Sequence, residues 1–120
     1  MSVQKSQYRC SLSLAMELAG GKWKMVILWH LRHGELRFSE LKRLLGEITQ
    51  KMLTQQLREL EQAGLISRKV YPVVPPKVEY RLTPCGEELI PMLDGLCRWS
   101  AKYAEEHDVR IGVCNTDSGE

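Results

Sequence analysis

The stretch from Thr49 to Gly64 constrains the fold of this chain more than any other part of the sequence. Thr49 can cap the start of a helix, and Gly64 suits the left-handed residue that ends one. Leu53, Leu57 and Leu60 follow the spacing i, i+4, i+7, which gives the helix one narrow apolar stripe. The opposite side carries long polar side chains, namely Lys51, Gln55, Arg58 and Gln62, with Gln50 and Thr54 on its flank. This pattern fits an ordinary surface helix or a recognition helix that reads base edges in a DNA major groove.

A second short helix is predicted immediately before this stretch. Ser39 is a suitable cap for a helix over residues 40–45, and Gly46 can end it. Two residues then separate Gly46 from the cap at Thr49. Two helices joined by a three-residue turn that contains glycine form a helix-turn-helix, so the Thr49 helix is predicted to be its second member.

The sequence after Gly64 changes from a helical pattern to a strand pattern. Residues 65–71 are rich in β-forming side chains, and residues 78–82 alternate between apolar and charged side chains. The proline-rich segment 72–77 suits a stiff loop between two strands. A two-stranded ribbon directly after a recognition helix defines a winged helix. The expected fold is therefore mainly α, with a small β-hairpin wing.

Positive charge is concentrated in the middle of the chain. Residues 22–81 carry twelve Lys or Arg against six Asp or Glu, whereas residues 82–120 carry three against eight. The predicted wing supplies part of the positive charge through Arg68, Lys69, Lys77 and Arg81. A basic middle favours a surface that binds a polyanion such as the DNA backbone.

The two ends of the chain each predict an amphipathic helix. Apolar residues between positions 10 and 21 indicate a short helix that ends at Gly20-Gly21, and Thr83-Pro84 can open a last helix. Pro91 should kink or split that last helix. Its apolar face is broad for a domain with little core left to cover. We expect a dimer surface made by both terminal helices, and the alternative is packing onto the same protomer.

The length of 120 residues suits one domain. The strongly apolar segment 22–31 is too short to span a membrane, which indicates the central buried helix. We divide the chain into an N-terminal dimerisation helix at about 10–21, a winged helix-turn-helix core at 22–83, a C-terminal dimerisation helix at 84–107 and a tail at 108–120.

Several segments together match one known family over about Cys10 to Trp99. They are Gly20-Gly21-Lys22-Trp23, Arg37-Phe38-Ser39-Glu40-Leu41, Gln50-Lys51-Met52-Leu53-Thr54-Gln55 and Tyr71-Pro72-Val73-Val74-Pro75-Pro76-Lys77-Val78-Glu79-Tyr80. On these residues the chain resembles the HxlR-type winged helix-turn-helix transcriptional regulators, relatives of the MarR-type repressors. The resemblance implies a homodimer that binds an inverted-repeat operator and regulates nearby genes. Its recognition-helix contacts would come from Gln50, Lys51, Thr54, Gln55 and Arg58, and its wing contact from around Lys77.

Cys10 is a candidate regulatory thiol by the same resemblance. Some members of the family sense electrophiles or oxidants through a cysteine near the N-terminus, and Cys10 occupies the matching place. Members often have proline directly after that cysteine, whereas this chain has Ser11. Arg9 and the start of a helix could lower the pKa of the thiol, which would favour sensing. The alternative is a cysteine that packs at the dimer seam and senses nothing.

Other classes of function are not supported by the sequence. The four cysteines show no C-x-x-C pair and no zinc spacing, so a structural metal is not expected. Cys85 and Cys97 are expected to pack within the protein, and Cys114 is expected to have no sensing role. No activated nucleophile, carboxylate pair or phosphate loop indicates an enzyme, and no cofactor is expected. No signal core or spanning segment is found, which favours a cytoplasmic protein without a membrane partner. A winged-helix protein-interaction module is the alternative function, and a small-molecule effector stays open.

Overall fold

The structure is a computed structural model and describes residues 7–112 of the chain. Within that range the chain forms six α-helices, one short 3₁₀ helix and three β-strands. In chain order they are α1 (Ser11–Ala19), α2 (Lys24–His30), the 3₁₀ helix (Leu31–His33), β1 (Leu36–Arg37), α3 (Phe38–Leu45), α4 (Gln50–Gln62), β2 (Ile66–Tyr71), β3 (Lys77–Leu82), α5 (Pro84–Glu87) and α6 (Ile90–Glu106).

Helices α3 and α4 form the predicted helix-turn-helix. The Oγ1 atom of Thr49 accepts a hydrogen bond of 3.0 Å from the backbone N–H of Met52, which confirms the predicted cap of α4. Gly64 follows the helix with a φ of +81°, in the left-handed region that glycine adopts without strain. The three leucines of the stripe are fully buried, at 0%, 2% and 0% exposure for Leu53, Leu57 and Leu60. The core therefore fixes which side of α4 faces solvent.

Helix α3 begins at Phe38, two residues earlier than the sequence predicted. Its cap is Arg37, and Ser39 lies in the first turn, so the prediction of Ser39 as the cap is wrong. The Oε1 atom of Glu40 accepts a hydrogen bond of 2.8 Å from the backbone N–H of Arg37. This carboxylate satisfies an N–H at the start of the helix, a position where negative charge is also favoured by the helix dipole.

The three strands form one antiparallel sheet in the order β1-β3-β2. Strands β2 and β3 are the two arms of the predicted wing, with Tyr71 opposite Lys77 next to the proline-rich loop. Strand β1 pairs with the other side of β3, with Leu36 opposite Tyr80. The winged helix fold is thus confirmed, and β1 adds a third strand to the wing just before α3.

The predicted central helix is confirmed but is shorter than the apolar segment 22–31. Helix α2 ends at His30, and the chain continues as the 3₁₀ helix. The most deeply buried side chains of the domain come from α2, the 3₁₀ helix, α3, α4 and β2, and they are Ile27, Leu28, Leu31, Leu41, Leu53, Leu57, Leu60 and Ile66. This core joins the helix-turn-helix to the base of the wing.

The last helix is split, which confirms the prediction made from Pro91. Helix α5 ends at Glu87, and Pro91 lies in the first turn of α6, where a missing N–H costs little. None of the helices in the described part of the chain is long and apolar enough to cross a membrane.

The apolar face of α6 consists of two different stripes, whereas the sequence suggested one broad surface. Leu93 and Ala104 are buried against the same protomer. A second stripe is exposed and contains Met92, Leu96, Trp99 and Tyr103. Helix α1 adds exposed Leu12, Leu14 and Met16. Packing onto the same protomer therefore accounts for one stripe. The dimer surface stays a prediction for the other stripe, which faces solvent.

Thr83 connects the wing, the end of α4 and the start of α5. Its Oγ1 atom donates a hydrogen bond of 2.6 Å to the carbonyl of Gly64 and accepts one of 3.1 Å from the N–H of Gly86. Its own N–H donates to the carbonyl of Leu65 at 3.1 Å. Thr83 therefore joins the turn after α4 to the first turn of α5.

An ion pair joins α2 to α4. The Nζ atom of Lys24 lies 2.7 Å from Oε1 of Glu59, and the lysine is buried. The hydrogen bond from Lys24 holds the pKa of Glu59 below its ordinary value. A charged lysine within the core is thereby compensated by a carboxylate on the recognition helix.

Gly86→Ala is expected to destabilise the protein by about 2–3 kcal/mol, because the added methyl group would collide with the carbonyl oxygen of Leu65. The measurement is urea unfolding followed by circular dichroism. Gly112→Ala is the matched control, since a methyl group at that position meets no atom within 4 Å and should leave stability unchanged. Equal stability of the two variants would contradict the close packing at Gly86.

The Lys24–Glu59 pair predicts a pH-dependent contribution to stability. Because the folded pKa of Glu59 is lowered, its contribution is fully present above the unfolded value of 4.5 and is lost as pH falls through the folded pKa. Glu59→Gln should therefore reduce the free energy of unfolding by about 1–2 kcal/mol at pH 7, and the difference from wild type should shrink toward pH 3.

Urea unfolding between pH 3 and pH 8 measures this difference. The control is Glu61→Gln, which breaks only an exposed pair with Arg68 and should change stability by less than about 1 kcal/mol. A loss in Glu59→Gln that stays constant down to pH 3 would argue against the assigned role of the carboxylate.

Candidate nucleic-acid interface

The outer side of α4 carries the predicted DNA contacts. Gln50, Lys51, Gln55 and Arg58 are exposed, and Thr54 is half-buried. Together with Glu59 and Gln62 they line one open groove along the helix. The structure therefore brings all five predicted recognition-helix residues to one surface. Such a surface offers both amide groups and cations, which are the groups that contact base edges and phosphates.

Thr54 has one of its hydrogen-bonding groups occupied within the helix. Its hydroxyl donates a hydrogen bond of 2.9 Å to the carbonyl oxygen of Gln50. The oxygen can still accept a hydrogen bond, and the methyl group is available for an apolar contact. Thr54 can thus meet a base as an acceptor or through its methyl group, the latter suiting the methyl group of thymine.

Gln55 is held by a neighbour that the sequence analysis did not single out. Its Nε2 atom donates a hydrogen bond of 3.2 Å to Oε2 of Glu59, one helical turn further along. The other oxygen of Glu59 binds Lys24. Glu59 therefore lies between a buried cation and a residue of the exposed surface.

Arg68 and Lys77, two of the four basic residues predicted for the wing, do not lie together. Successive side chains of a strand point to opposite faces, and Arg68 and Lys77 belong to opposite faces of the ribbon by their register. The Nε atom of Arg68 lies 3.7 Å from Oε2 of Glu61, so Arg68 is directed toward α4. Lys77 instead shares its face with Lys69 and Tyr71.

Tyr71 organises the face of the wing that carries Lys77. The ammonium groups of Lys77 and Lys69 lie 4.8 Å and 5.1 Å from the centre of the Tyr71 ring. The Tyr71 hydroxyl donates a hydrogen bond of 3.0 Å to Oε1 of Glu79, which raises the pKa of Tyr71 and lowers the pKa of Glu79. Two cations are therefore placed against one aromatic ring, near the end of the ribbon.

Cys10 is the exposed residue immediately before α1. Its Sγ atom lies 3.4 Å from Oγ of Ser13. The pKa of the thiol is lowered first by the side chain of Ser13 and then by the backbone of Ser13 and Leu12. The sequence had suggested that both Arg9 and the start of a helix would lower this pKa. Hydrogen bonds at the start of the helix lower it, and Arg9 is not among the causes.

The other cysteines differ from expectation. Cys85 and Cys97 are exposed in the protomer, so the prediction that they pack is wrong for a single copy of the chain. Cys114 lies outside the described residues. Across residues 7–112, no group of three or more His, Cys, Asp or Glu side chains is arranged to hold a metal ion.

Two parts of the Lys24–Glu59–Gln55 arrangement could have been found from the sequence. Gln55 and Glu59 are four residues apart, the spacing at which helical side chains meet. Lys24 is the only charged side chain between Trp23 and Trp29 in the apolar segment, which marks a cation in need of a partner. The partner itself could not be chosen without the packing of α2 against α4.

Similarity to known proteins agrees with this architecture. The family described as HxlR-like helix-turn-helix matches residues 18–108. YtcD of Bacillus subtilis (strain 168), an HTH-type transcriptional regulator, is 57% identical over 101 residues, which are 84% of this chain and 80% of YtcD. The crystal structure of the HTH-type transcriptional regulator ytcD has a TM-score of 0.77 at 56% identity, covering 80% of this chain and 98% of that one.

A further solved relative is the redox regulator HypR. Its reduced form has a TM-score of 0.79 at 40% identity and covers 82% of this chain and 98% of its own. The oxidised form has a TM-score of 0.74 at 41% identity, with 87% and 100% covered. The family match covers most of this chain, and the structure shows the winged helix-turn-helix. This chain therefore belongs to the HxlR-like helix-turn-helix family of transcriptional regulators.

Proposed function

We propose that the protein acts as a homodimer that binds an inverted-repeat operator sequence-specifically and thereby regulates nearby genes. The observation that carries this proposal is the orientation of α4. Its leucine stripe is buried in the core, and its amide and basic side chains line an open groove on the outside. A helix supported in this way can enter the major groove without rearranging the domain. Such a regulator works in the cytoplasm with its DNA.

The homodimer is supported by apolar surface at both ends of the chain. On α1, Leu12 is 69% exposed, and on α6 Met92 and Trp99 are each 63% exposed. Exposed apolar patches of this kind mark protein–protein contacts, and a two-fold pair is the commonest soluble assembly. In this arrangement residues 22–83 form the DNA-binding core and residues 10–21 and 84–107 the dimerisation helices. The two α4 helices would lie roughly 34–36 Å apart, one turn of the duplex.

The proposed base contacts come from α4 and the proposed backbone contacts from the wing. Gln50, Thr54 and Gln55 offer hydrogen-bonding groups to base edges, whereas Lys51 and Arg58 offer positive charge. On the wing the phosphate contacts are assigned to Lys77 and Arg68. Each is ion-paired in the free protein, Lys77 with Glu79 at 3.4 Å and Arg68 with Glu61 at 3.7 Å, so each pair must open before the cation can reach a phosphate.

Cys10 is the proposed site of redox or electrophile sensing. Two observations support this role, namely its exposure beside a hydroxyl that lowers the thiol pKa and the similarity of the chain to the redox regulator HypR. In this proposal the thiolate adds to an electrophilic double bond, whose other atom takes up a proton, or it attacks the O–O bond of a peroxide and expels hydroxide or alkoxide to leave a sulfenic acid. The modified cysteine then alters the nearby dimer contacts. The effector is then a reactive molecule rather than a ligand held in a pocket. The alternative is that Cys10 packs at the dimer seam without a sensing function.

Lys51→Ala should weaken binding to every duplex, because it removes one phosphate-neutralising charge from each protomer. The logarithm of affinity plotted against the logarithm of salt concentration should lose about two units of slope per dimer. Gln55→Ala should instead relax the preference at one base position of each half-site. Fluorescence anisotropy with DNA from upstream of the protein's own gene, at about 50–200 mM salt, measures both effects.

Arg110→Ala is the matched control for Lys51→Ala, since it removes an exposed cation that follows α6. It should leave the salt dependence close to that of wild type. Equal losses on all duplexes from Lys51→Ala and Gln55→Ala would contradict the assignment of these contacts. Wild-type protein that binds no duplex, under conditions in which it is folded, would favour a protein-interaction module.

Diamide is expected to change the operator affinity of wild-type protein and to leave that of Cys10→Ser unchanged. The reason is that only the wild-type thiolate at this position can be oxidised. Cys85→Ser is the control, because it removes another exposed thiol and should keep the response. A response that persists in Cys10→Ser would remove Cys10 from the sensing mechanism.

A further inference from the structure

Three side chains connect the interior of the domain to the outer side of α4. Lys24 lies in α2 with 7% of its surface exposed, and its Nζ atom lies 2.7 Å from Oε1 of Glu59. The Oε2 atom of the same carboxylate accepts a hydrogen bond of 3.2 Å from Nε2 of Gln55. One oxygen of Glu59 is therefore fixed by the core, and the other holds a residue of the DNA-binding surface.

The carboxylate decides which end of the Gln55 amide is available to a ligand. An ionised carboxylate only accepts hydrogen bonds, whereas the amide has two donor hydrogens on Nε2 and an acceptor at Oε1. Nε2 must therefore be the end that faces Glu59. This leaves Oε1 and one hydrogen of Nε2 for a partner in the groove along α4. Glu59 is a carboxylate at neutral pH, and the bond from Lys24 lowers its pKa further from neutrality.

A fixed amide orientation distinguishes adenine from guanine. In the major groove adenine presents a donor at N6 beside an acceptor at N7, and a glutamine can contact both. Guanine presents two acceptors, O6 and N7, and needs two donors. With one Nε2 hydrogen bound to Glu59, Gln55 offers one acceptor and one donor. This combination matches adenine and does not match guanine.

We propose that Glu59, held in place by Lys24, is a positioning residue that makes Gln55 select adenine at one position of each operator half-site. The inference rests on the proposed function, because it assigns a base to the same interface.

The proposal also predicts how the base preference can be changed. In Glu59→Gln, Lys24 donates to the oxygen of the new amide, and the new Nε2 group donates to Oε1 of Gln55. The amide of Gln55 then turns over and presents its two donors, which match guanine.

The test measures base preference rather than affinity alone. Each base pair of one half-site is replaced in turn, and dissociation constants are measured by anisotropy at one salt concentration. Gln55→Ala identifies the position that Gln55 reads. At that position wild type should prefer adenine by roughly tenfold. Glu59→Gln should lose this preference or move it to guanine, with the other positions unchanged.

Lys24→Met, which removes the support of the carboxylate, should weaken the same preference.

Glu61→Gln is the matched control. It removes the same charge from the same helix but breaks a pair with Arg68 instead of a contact with Gln55. It should raise affinity for all duplexes and keep the adenine preference. The proposal is overturned if Glu59→Gln keeps the wild-type preference, or if its effect is as uniform across positions as that of Glu61→Gln. Circular dichroism confirms that each variant is folded.

A measurement on the free protein tests the geometry without DNA. The side-chain amide protons of Gln55, observed by ¹⁵N NMR, should shift as Glu59 is protonated, and this shift should be absent in Glu59→Gln. The amide of Gln50 serves as the internal control. A Gln55 amide that does not respond overturns the proposal, whatever the operator data show. Wild type that binds an operator without an adenine preference overturns this inference alone, whereas wild type that binds no specific site overturns the proposed function as well.

Discussion

The burial of one leucine stripe is the constraint on which this structure depends. An isolated helix of 13 residues is marginal in water, so α4 is stabilised by the contacts of Leu53, Leu57 and Leu60 with the core. Each buried leucine side chain contributes roughly 1.5–3 kcal/mol. Because the same three side chains also fix the rotation of the helix, the domain presents its polar side chains outward before any DNA arrives.

Side-chain pairs extend this order from the core to the surface. On α4 the carboxylate of Glu59 holds the amide of Gln55, and on the wing the ring of Tyr71 contacts both Lys69 and Lys77. Long side chains lose conformational freedom when they bind, which weakens association. Groups that are already ordered by neighbours lose less. The surface therefore combines flexible cations, such as exposed Lys51, with groups whose direction is set in the free protein.

Features with a local cause could be predicted from the sequence, and features that depend on packing could not. The cap at Thr49, the end at Gly64 and the break near Pro91 each follow from the chemistry of one residue. The start of α3 was misjudged because the carboxylate of Glu40 reaches back to Arg37, so that Ser39 is not the cap. The exposure of Cys97 and the separation of Arg68 from Lys77 depend on helix docking and strand register. The link from Lys24 through Glu59 to Gln55 needs α2 and α4 in contact.

The three bonds at Thr83 have a mechanical consequence. Its side chain joins the turn after α4 to the first turn of α5, and its N–H binds the carbonyl of Leu65, directly before β2. A torque applied to the C-terminal helices therefore cannot be absorbed at that joint unless hydrogen bonds break. Rotation of α5 would instead displace both the wing and the carboxyl end of α4. A movement of the C-terminal helices would therefore change the angle of α4, the helix proposed to contact base edges.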